Sequence, residues 1–299
     1  MAGLFCAESV PDLRGAVWAG GSAQEGGRVC GADWVELHLL DVFLPEGTPP
    51  EQRLTGEASP MAVFEEAGLA GCQTNLEDQA HGTGLLVRAS KFGSVSHQHA
   101  DQGSFALIRN NQVLITPSGY FGRCWGTSHH RNWTKTTKAH NCILVNGIGQ
   151  ETDSFRAAGR FTDWGHEENK SFYLRLDLRE AYPMLEFYER SFALTEKELI
   201  VRDRIRAKEG CEISWLLHML DRPALQEDGT LVLEHAGQRA VVIPDSSFIG
   251  KPEISDRFGT EVNEGVDEAF WVSMPKQYHV TFRTAIQKEH RIEVRIRIG

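Results

Sequence analysis

Short runs of alternating apolar and polar residues recur along most of this chain, and they constrain its fold more than any other feature. In Phe172–Leu178 every second side chain is Phe or Leu, and Tyr173, Arg175 and Asp177 lie between them. A period of two is typical of a β-strand with one buried face. Other strand-sized apolar runs lie at Gly84–Ala89, Phe105–Ile108, Gln112–Ile115, Cys142–Val145, Phe187–Leu194, Leu199–Ile205, Ile213–Leu220, Leu231–Leu233, Ala240–Ile243, Phe270–Ser273, His279–Ala285 and His290–Ile298.

Turn-forming residues separate these runs. Asn110-Asn111 stands between two of them and predicts a tight hairpin. Three further separators are turn-like: Lys208-Glu209-Gly210, Glu227-Asp228-Gly229 and Pro244-Asp245-Ser246. Many short strands with few helical segments favour an all-β fold, and specifically an antiparallel β-sandwich.

The first 58 residues have a different character. Gly15–Gly27 is rich in glycine and small residues, and the prolines within 44–50 interrupt regular structure. Between these segments, Asp33–Phe43 has apolar residues near helical spacing, which predicts one short helix. We therefore expect an N-terminal connector at 1–58 and a β-sandwich domain at 59–299.

Charge and hydropathy argue against two classes of partner. The 299 residues carry a net charge of −10 and the pI is about 5.7, which is unfavourable for binding nucleic acid. No apolar run approaches the roughly 20 residues of a membrane span. Met1–Val10 has neither a basic nor an apolar signal region, so no signal peptide is predicted and the location stays open.

The six cysteines form no CxxC pair, and we expect buried thiols.

Histidines concentrate in two segments. In the first, His97, His99 and Asp101 would share one face if the chain were extended, so two imidazoles and a carboxylate would converge. An HxH pair alone is a weak metal signal. The second segment, 129–141, contains His129, His130 and His140, and a second cluster strengthens the expectation of a site.

The second segment is also basic. No Asp or Glu occurs between Ser118 and Asn141, whereas four cationic residues do: Arg123, Arg131, Lys135 and Lys138. A solvated basic loop is one interpretation. The functional interpretation is a patch that binds an anionic ligand.

Three blocks together carry a family resemblance. They are His97-x-His99-x-Asp101-x-Gly103-x-Phe105, Ala139-His140-Asn141, and Asn146-Gly147-x-Gly149-Gln150. In this order and spacing they resemble the heparinase II/III-like polysaccharide lyases, and Ala181-Tyr182 and Arg190 extend the resemblance downstream. It covers roughly 59–299.

The resemblance implies a fold, a reaction and an ion. Members join an N-terminal α/α-toroid to a β-sandwich, are often periplasmic or secreted, and cleave acidic polysaccharides such as heparan sulfate or alginate by β-elimination. It implies that His97 is catalytic and that His99 and His140 bind a largely structural zinc ion. The family's third ligand, an Asp, aligns with Thr116 or Pro117. Zinc would then recruit Asp101, Cys142 or water, or the site would hold no metal.

β-Elimination at a uronate needs three groups. Donors must neutralise the carboxylate as charge develops on it. The candidates for this substrate-binding role are Arg131, Asn132, Lys135 and Asn141. His97 is the expected base. Tyr120 and His130 are the local candidates for the acid, because Trp125 stands where several members have a tyrosine.

The same residues fit other assemblies and functions. The chain has no counterpart of the toroid beyond the short predicted helix at Asp33–Phe43, so a separate toroid partner or a homo-oligomer is one expectation. A non-catalytic carbohydrate-binding module would use Trp125 and Trp133 for sugar stacking. A cupin-like metalloenzyme shares the HxH pair and the β-sandwich.

Overall fold

The computed structural model describes residues 59–118, 126–167, 171–258 and 277–299. The predicted connector, its helix at Asp33–Phe43 and the run Phe270–Ser273 lie outside these ranges. Within them the chain forms 17 strands, β1 to β17, and four short helical turns. Every strand pairing within the three sheets is antiparallel, and the sheets share one hydrophobic core. The predicted all-β sandwich is therefore confirmed.

The first sheet is a five-stranded meander in which each strand pairs with the next along the chain. Its strands are β1 (Met61–Phe64), β2 (Leu69–Gln73), β3 (Thr83–Arg88), β4 (Phe105–Arg109) and β5 (Gln112–Ile115). Asn110 and Asn111 have φ values of 49° and 60°. Positive φ at both central residues is what a tight hairpin turn requires, which confirms the predicted hairpin between β4 and β5.

The second sheet has eight strands in the order β12-β13-β14-β17-β10-β9-β8-β7. The strands are β7 (Arg160–His166), β8 (Phe172–Asp177), β9 (Leu185–Leu194), β10 (Glu198–Cys211), β12 (Ala224–Leu225), β13 (Leu231–His235), β14 (Gln238–Ile243) and β17 (Gln287–Ile298). β8 alternates strictly between buried and exposed residues, as its sequence predicts.

The third sheet has four strands in the order β15-β16-β11-β6. They are β6 (Ile143–Val145), β11 (Ile213–Met219), β15 (Glu253–Ser255) and β16 (Tyr278–Arg283). The helical turns are Gln79–His81, His130–Thr134, Thr137–Ala139 and Arg179–Ala181, and the second of these has π geometry. None of the described helices is long and apolar enough to cross a membrane.

The three sheets meet at a group of large aromatic side chains. Phe105 of β4 packs edge-on against Phe192 of β9, with ring centroids 5.4 Å apart, and lies 6.5 Å from Trp215 of β11. All three are almost completely buried. The segments just before β4 and β6 therefore start from a rigid core, which fixes the two loops that contain the histidines.

Candidate active site and metal centre

Two loops form the site, and direct hydrogen bonds join them. The loop before β4 contains His97–Asp101, and the loop before β6 contains 126–142. The Ala100 amide donates to the Lys135 carbonyl at 2.9 Å, and the Thr137 hydroxyl donates to the Ala100 carbonyl at 2.8 Å. The loops therefore behave as one unit, although about 35 residues separate these contacts in sequence.

Arg190 ties both loops to the core. Its Nη1 donates to the Gly103 carbonyl at 2.9 Å and to the Asn141 carbonyl at 2.7 Å. Gly103 lies two residues after Asp101, and Asn141 directly follows His140. One guanidinium thus holds the backbone beside both clusters that the sequence singled out.

The charge of Arg190 is compensated inside the core. Asp203 accepts from Arg190 Nε at 2.7 Å and Nη2 at 2.9 Å, and both side chains are 0 % exposed. The same carboxylate accepts from Tyr188 and from Trp215 Nε1. A buried ion pair is tolerated when every polar atom is satisfied in this way, and removal of one partner is then costly.

His99, Asp101 and His140 converge, and we call them the ligand group. One ligand atom from each lies within 4.8 Å of the others, and the two imidazole centroids are 5.2 Å apart. The geometry arises from a turn-rich loop and not from the extended strand that the HxH spacing suggested. Ser96 adopts a φ of 58°, and His97 is exposed and lies outside the group.

The imidazole of His140 is oriented like a metal ligand. Its Nε2–H donates to the Thr134 carbonyl at 3.0 Å, which leaves the buried Nδ1 without a hydrogen-bond partner among the described residues. Burial lowers the pKa of His140 to about 4, and burial together with the charge of His140 lowers the pKa of His99 to about 3. Both rings are neutral at pH 7, which is the form that binds a cation.

The donor set fits zinc. Two neutral imidazoles and one carboxylate with an open fourth position are common around this ion. Asp101 also lies 3.4 Å from Arg88 Nε, so its carboxylate already has one cationic neighbour. Asp101, one candidate for the missing family ligand, belongs to the ligand group. Cys142, the other protein candidate, does not belong to it. The Cys142 thiol lies 3.5 Å from the Gln102 carbonyl, and burial raises the pKa of this thiol.

A cleft of about 340 Å³ opens beside the ligand group. Its described lining residues are Gly126, His130, Arg131, Lys135, Thr152 and Asp153. The His130 and His99 rings are 6.3 Å apart, which connects the cleft to the ligand group. Arg131 is exposed and donates to the Gly126 carbonyl, whereas Lys135 is buried and is paired with Asp153.

His130 is 4 % exposed and its pKa is lowered, first by burial and then by the charges of Lys135 and Arg131. The imidazole is therefore neutral at pH 7. A neutral imidazole takes up a proton or donates a hydrogen bond, so the predicted role of His130 as an acid is not the one that this environment favours. The charge of His97 adds to this lowering of the pKa of His130.

Two predicted ligand-binding residues have other roles. Asn141 is 0 % exposed, and its side chain donates to the Phe105 carbonyl and accepts from the His218 amide. We assign it a structural role, because a substrate cannot reach it. Trp133 is 6 % exposed and donates to Ser118 Oγ at 2.8 Å, so it offers no stacking surface. Tyr120 and Trp125 lie outside the described residues.

A second set of histidines packs against the same loop. His129, His218 and His279 pack with Trp133 and Phe258, at ring-centroid distances of 4.8 to 5.4 Å, and we call this set the aromatic cluster. Its three histidines are buried and pack against other aromatic rings. The sequence also missed Asp153 and Arg88, because only the fold brings them to the site.

Comparisons with known proteins give the family and the fold. The sequence profile of the family described as heparinase II/III-like, C-terminal, matches residues 56–279. A heparan sulfate lyase, HepC, from Pedobacter heparinus superposes with a TM-score of 0.64 at 13% identity, covering 98% of this chain and 42% of that one. A heparinase III superposes with a TM-score of 0.64 at 16% identity and the same coverages.

A further heparinase III structure gives a TM-score of 0.60 at 13% identity, covering 80% of this chain and 36% of that one. At these identities the superpositions show the fold alone, and this chain spans less than half the length of these proteins. Comparison with curated proteins gives no match. The family profile covers well over half of the sequence, and the chain belongs to the heparinase II/III-like, C-terminal family.

Proposed function

We propose that this chain is the β-sandwich part of a polysaccharide lyase that cleaves uronate-containing glycans, of the heparan sulfate kind, by β-elimination. One observation carries the proposal. The ligand group, an exposed histidine and a basic cleft all lie where two loops meet, and the loops are tied to the core by Arg190.

Substrate binding is assigned to the cationic side of the cleft. Arg131 is exposed, and its guanidinium can pair with the uronate carboxylate in two parallel hydrogen bonds. Removing the C5 proton places more negative charge on that carboxylate, so a fixed cation lowers the barrier. Asn132, next to Arg131, is also exposed and donates to Ser128 Oγ, and we assign its amide a supporting contact with the sugar.

Proton abstraction is assigned to His97. It is exposed to solvent, it lies two residues before the ligand group member His99, and its charge acts on His130 in the cleft. A histidine base has a suitable pKa for work near neutral pH. Neutral His130 would donate a hydrogen bond to the substrate from the cleft wall.

Zinc would be held by His99, Asp101 and His140. When bound, it supplies a positive charge that keeps these ligands in place and fixes the two loops relative to each other. The chain's own residues then do the chemistry: Arg131 orients the carboxylate and His97 takes the proton.

The proton for the leaving oxygen needs another source. Within the described residues, the cleft lining includes no tyrosine. Tyr120, which lies outside those residues, is the candidate in this chain. We propose that a helical domain of the toroid type supplies the other wall of the groove and a further acid.

The test is a lyase assay on the purified chain with heparan sulfate, chondroitin sulfate, hyaluronate and alginate, followed by the near-ultraviolet absorbance of the unsaturated product. We expect turnover on heparan sulfate. His97→Ala should lower it by roughly 10²- to 10⁴-fold, the usual contribution of a general base. The control is His166→Ala, an exposed histidine of β7, which should leave turnover unchanged.

Binding is measured on the same samples, so that an absence of turnover can be interpreted. A folded chain that binds heparan sulfate through Arg131 without cleaving it supports a domain that needs the helical partner. A folded chain that neither binds nor cleaves any of the four glycans contradicts the proposal.

A further inference from the structure

The loop 151–156 runs from the cleft lining to an exposed aromatic side chain. Thr152 and Asp153 line the cleft, and Phe155 follows Asp153 by two residues. Phe155 is 71 % exposed, more than any other phenylalanine, tyrosine or tryptophan that the structure describes. Because Cα atoms two residues apart are separated by at most about 7 Å, Phe155 lies next to the cleft lining, at a distance that one sugar ring can span.

A cation directly follows this aromatic residue in the sequence. Arg156 is exposed, and its amide donates to Ser154 Oγ at 3.2 Å. No acidic side chain in the described part of the chain pairs with the Arg156 guanidinium. In contrast, Lys135 in the cleft is paired with Asp153. The charge of Arg156 is therefore available to an anionic ligand at the rim of the cleft.

The loop is held firmly on the side that precedes Phe155. The Ser94 amide donates to the Ser154 carbonyl at 2.9 Å, and the Ser94 hydroxyl donates to the Glu151 carbonyl at 2.6 Å. Gly93 has a φ of 71°, and a Cβ at this position would lie 2.1 Å from the Ser154 carbonyl oxygen. Only glycine allows this close approach, so the two loops are packed backbone against backbone.

The loop is held equally firmly on the side that follows Arg156. Ala157 and Ala158 are buried, and the Gly159 amide donates to the Ser90 carbonyl at 2.9 Å. The two exposed side chains therefore lie between anchored segments of backbone. A ligand that binds them pays little conformational entropy for ordering the loop, which favours affinity.

The chemistry of the pair fits an acidic sugar. A single exposed apolar side chain is common on protein surfaces and marks nothing by itself. Here an aromatic ring on a fixed backbone stands between an available guanidinium and the lining of the cleft. The C–H face of a pyranose ring packs on an aromatic ring, and a guanidinium pairs with a carboxylate.

We propose that Phe155 and Arg156 form a second sugar-binding subsite at the rim of the cleft. In this subsite the Phe155 ring packs on the pyranose next to the uronate bound by Arg131, and Arg156 pairs with an acidic group farther along the same glycan. This inference rests on the proposed function, because it lengthens the same cleft. It identifies the preferred ligand as an acidic oligosaccharide longer than one disaccharide.

The experiment measures, by calorimetry, the affinities of a disaccharide and a hexasaccharide of desulfated, N-acetylated heparan sulfate. Every sample carries His97→Ala, so that the ligand is not cleaved during the titration. We expect the hexasaccharide to bind more tightly, because only the longer ligand reaches from Arg131 to the subsite. Phe155→Ala should weaken hexasaccharide binding roughly 5- to 20-fold, the size expected for uncovering part of one aromatic side chain, and leave disaccharide affinity unchanged.

Two further variants separate stacking from charge. Phe155→Tyr keeps a flat ring and should retain the hexasaccharide affinity. Arg156→Ala should weaken hexasaccharide binding about fivefold at low ionic strength and much less at high ionic strength, because salt screens an exposed charge pair. The effect of Phe155→Ala should persist at high ionic strength.

Matched controls are available elsewhere on the surface. Ile286→Ala removes an apolar side chain that is 74 % exposed, in the turn between β16 and β17. Arg222→Ala removes an exposed arginine between β11 and β12. Both controls should leave the affinities of the two ligands unchanged.

The outcomes separate this inference from the proposed function. If Phe155→Ala and Arg156→Ala bind the hexasaccharide as tightly as the parent chain, the inference is overturned and the proposed function, which rests on Arg131 and His97, stands. If hexasaccharide binding depends on Phe155 and Arg156, while Arg131→Ala binds normally and the chain with His97 intact cleaves none of the four glycans, the inference stands and the proposed function fails.

Three other results would also overturn the inference. An equal loss in a control variant would show that the effect is not specific to the subsite. An equal loss of disaccharide affinity in Phe155→Ala would place the effect in the cleft itself. A folded chain that binds neither ligand would overturn the inference and the proposed function together.

Discussion

The ligand group and the aromatic cluster are two histidine sets that contact the same loop, and they differ in chemistry. The ligand group contains a carboxylate, Asp101, and a buried His140 nitrogen without a partner among the described residues. In the aromatic cluster the histidines pack against other rings, and the ring centroids of His218 and His279 are only 5.1 Å apart. Both sets contain buried imidazoles, and both contain ring nitrogens without a hydrogen-bond partner among the described residues, so neither property by itself marks a site. The carboxylate that converges with two imidazoles does.

Arg190 ties both loops of the site to the core, and its loss should have the largest effect. Arg190→Met leaves Asp203 buried without its cation and releases the carbonyls of Gly103 and Asn141. We expect the free energy of unfolding to fall by about 3–5 kcal/mol, measured by urea denaturation. The matched control is Arg202→Met, which breaks an exposed pair with Glu293 and should cost about 1 kcal/mol or less. Equal losses would contradict the role given to Arg190.

Asp101→Asn removes the carboxylate that distinguishes the ligand group. We expect zinc affinity to fall by roughly 10- to 100-fold, because a neutral amide is a much poorer ligand than a carboxylate. The measurement is competition with a chelating dye. Asp153→Asn provides the control, since its carboxylate lies outside the ligand group. A zinc affinity that is indifferent to Asp101 would mean that another set of residues binds the ion.

His279→Phe tests the aromatic cluster and should have the smallest effect. Neither ring nitrogen of His279 has a hydrogen-bond partner among the described residues, and the residue is 7 % exposed. A phenyl ring of similar shape removes this unsatisfied polarity, so we expect the free energy of unfolding at pH 7 to rise by about 1 kcal/mol.

The same variant should change the pH dependence of stability. Burial lowers the pKa of His279 to about 4 from an ordinary value of 6.5, with His129 lowering it further and Asp256 opposing the shift. Between these values the unfolded chain binds more protons than the folded one, so stability is complete above pH 6.5 and falls as the pH approaches 4. His279→Phe should flatten this slope by about one proton. An unchanged slope would show that His279 does not titrate on unfolding.

Much of the fold was predictable from the period-two pattern, because strands such as β8 and β10 bury one face and expose the other. Five strands escaped prediction, and two of them, β12 and β15, have only two and three residues. β1 and β2 are short and contain small residues, and β7 is an edge strand in which only Phe161 is buried. Their apolar patterns are too weak to distinguish a strand from a loop, so pairing with a neighbour decides the structure.

The site was predictable only in outline. His99 and His140 come together as the resemblance implied, and Asp101 was one of the alternatives that the residues left open. Asn141 was expected to bind substrate, but its side-chain amide donates to the buried Phe105 carbonyl. A polar residue just before an apolar strand does not reveal such a contact in the sequence. Asp153 could not be predicted, since its contact with Lys135 depends on how two loops pack.

The central claim is that one set of histidines is a metal centre and the other is core. The direct measurement is a titration of the purified chain with Co²⁺, a visible substitute for zinc, in parallel with His140→Ala and His279→Phe. We expect one equivalent of Co²⁺ and an intense visible absorption band in the native chain and in His279→Phe, and loss of both in His140→Ala. Binding that survives in His140→Ala, or disappears in His279→Phe, would contradict the claim.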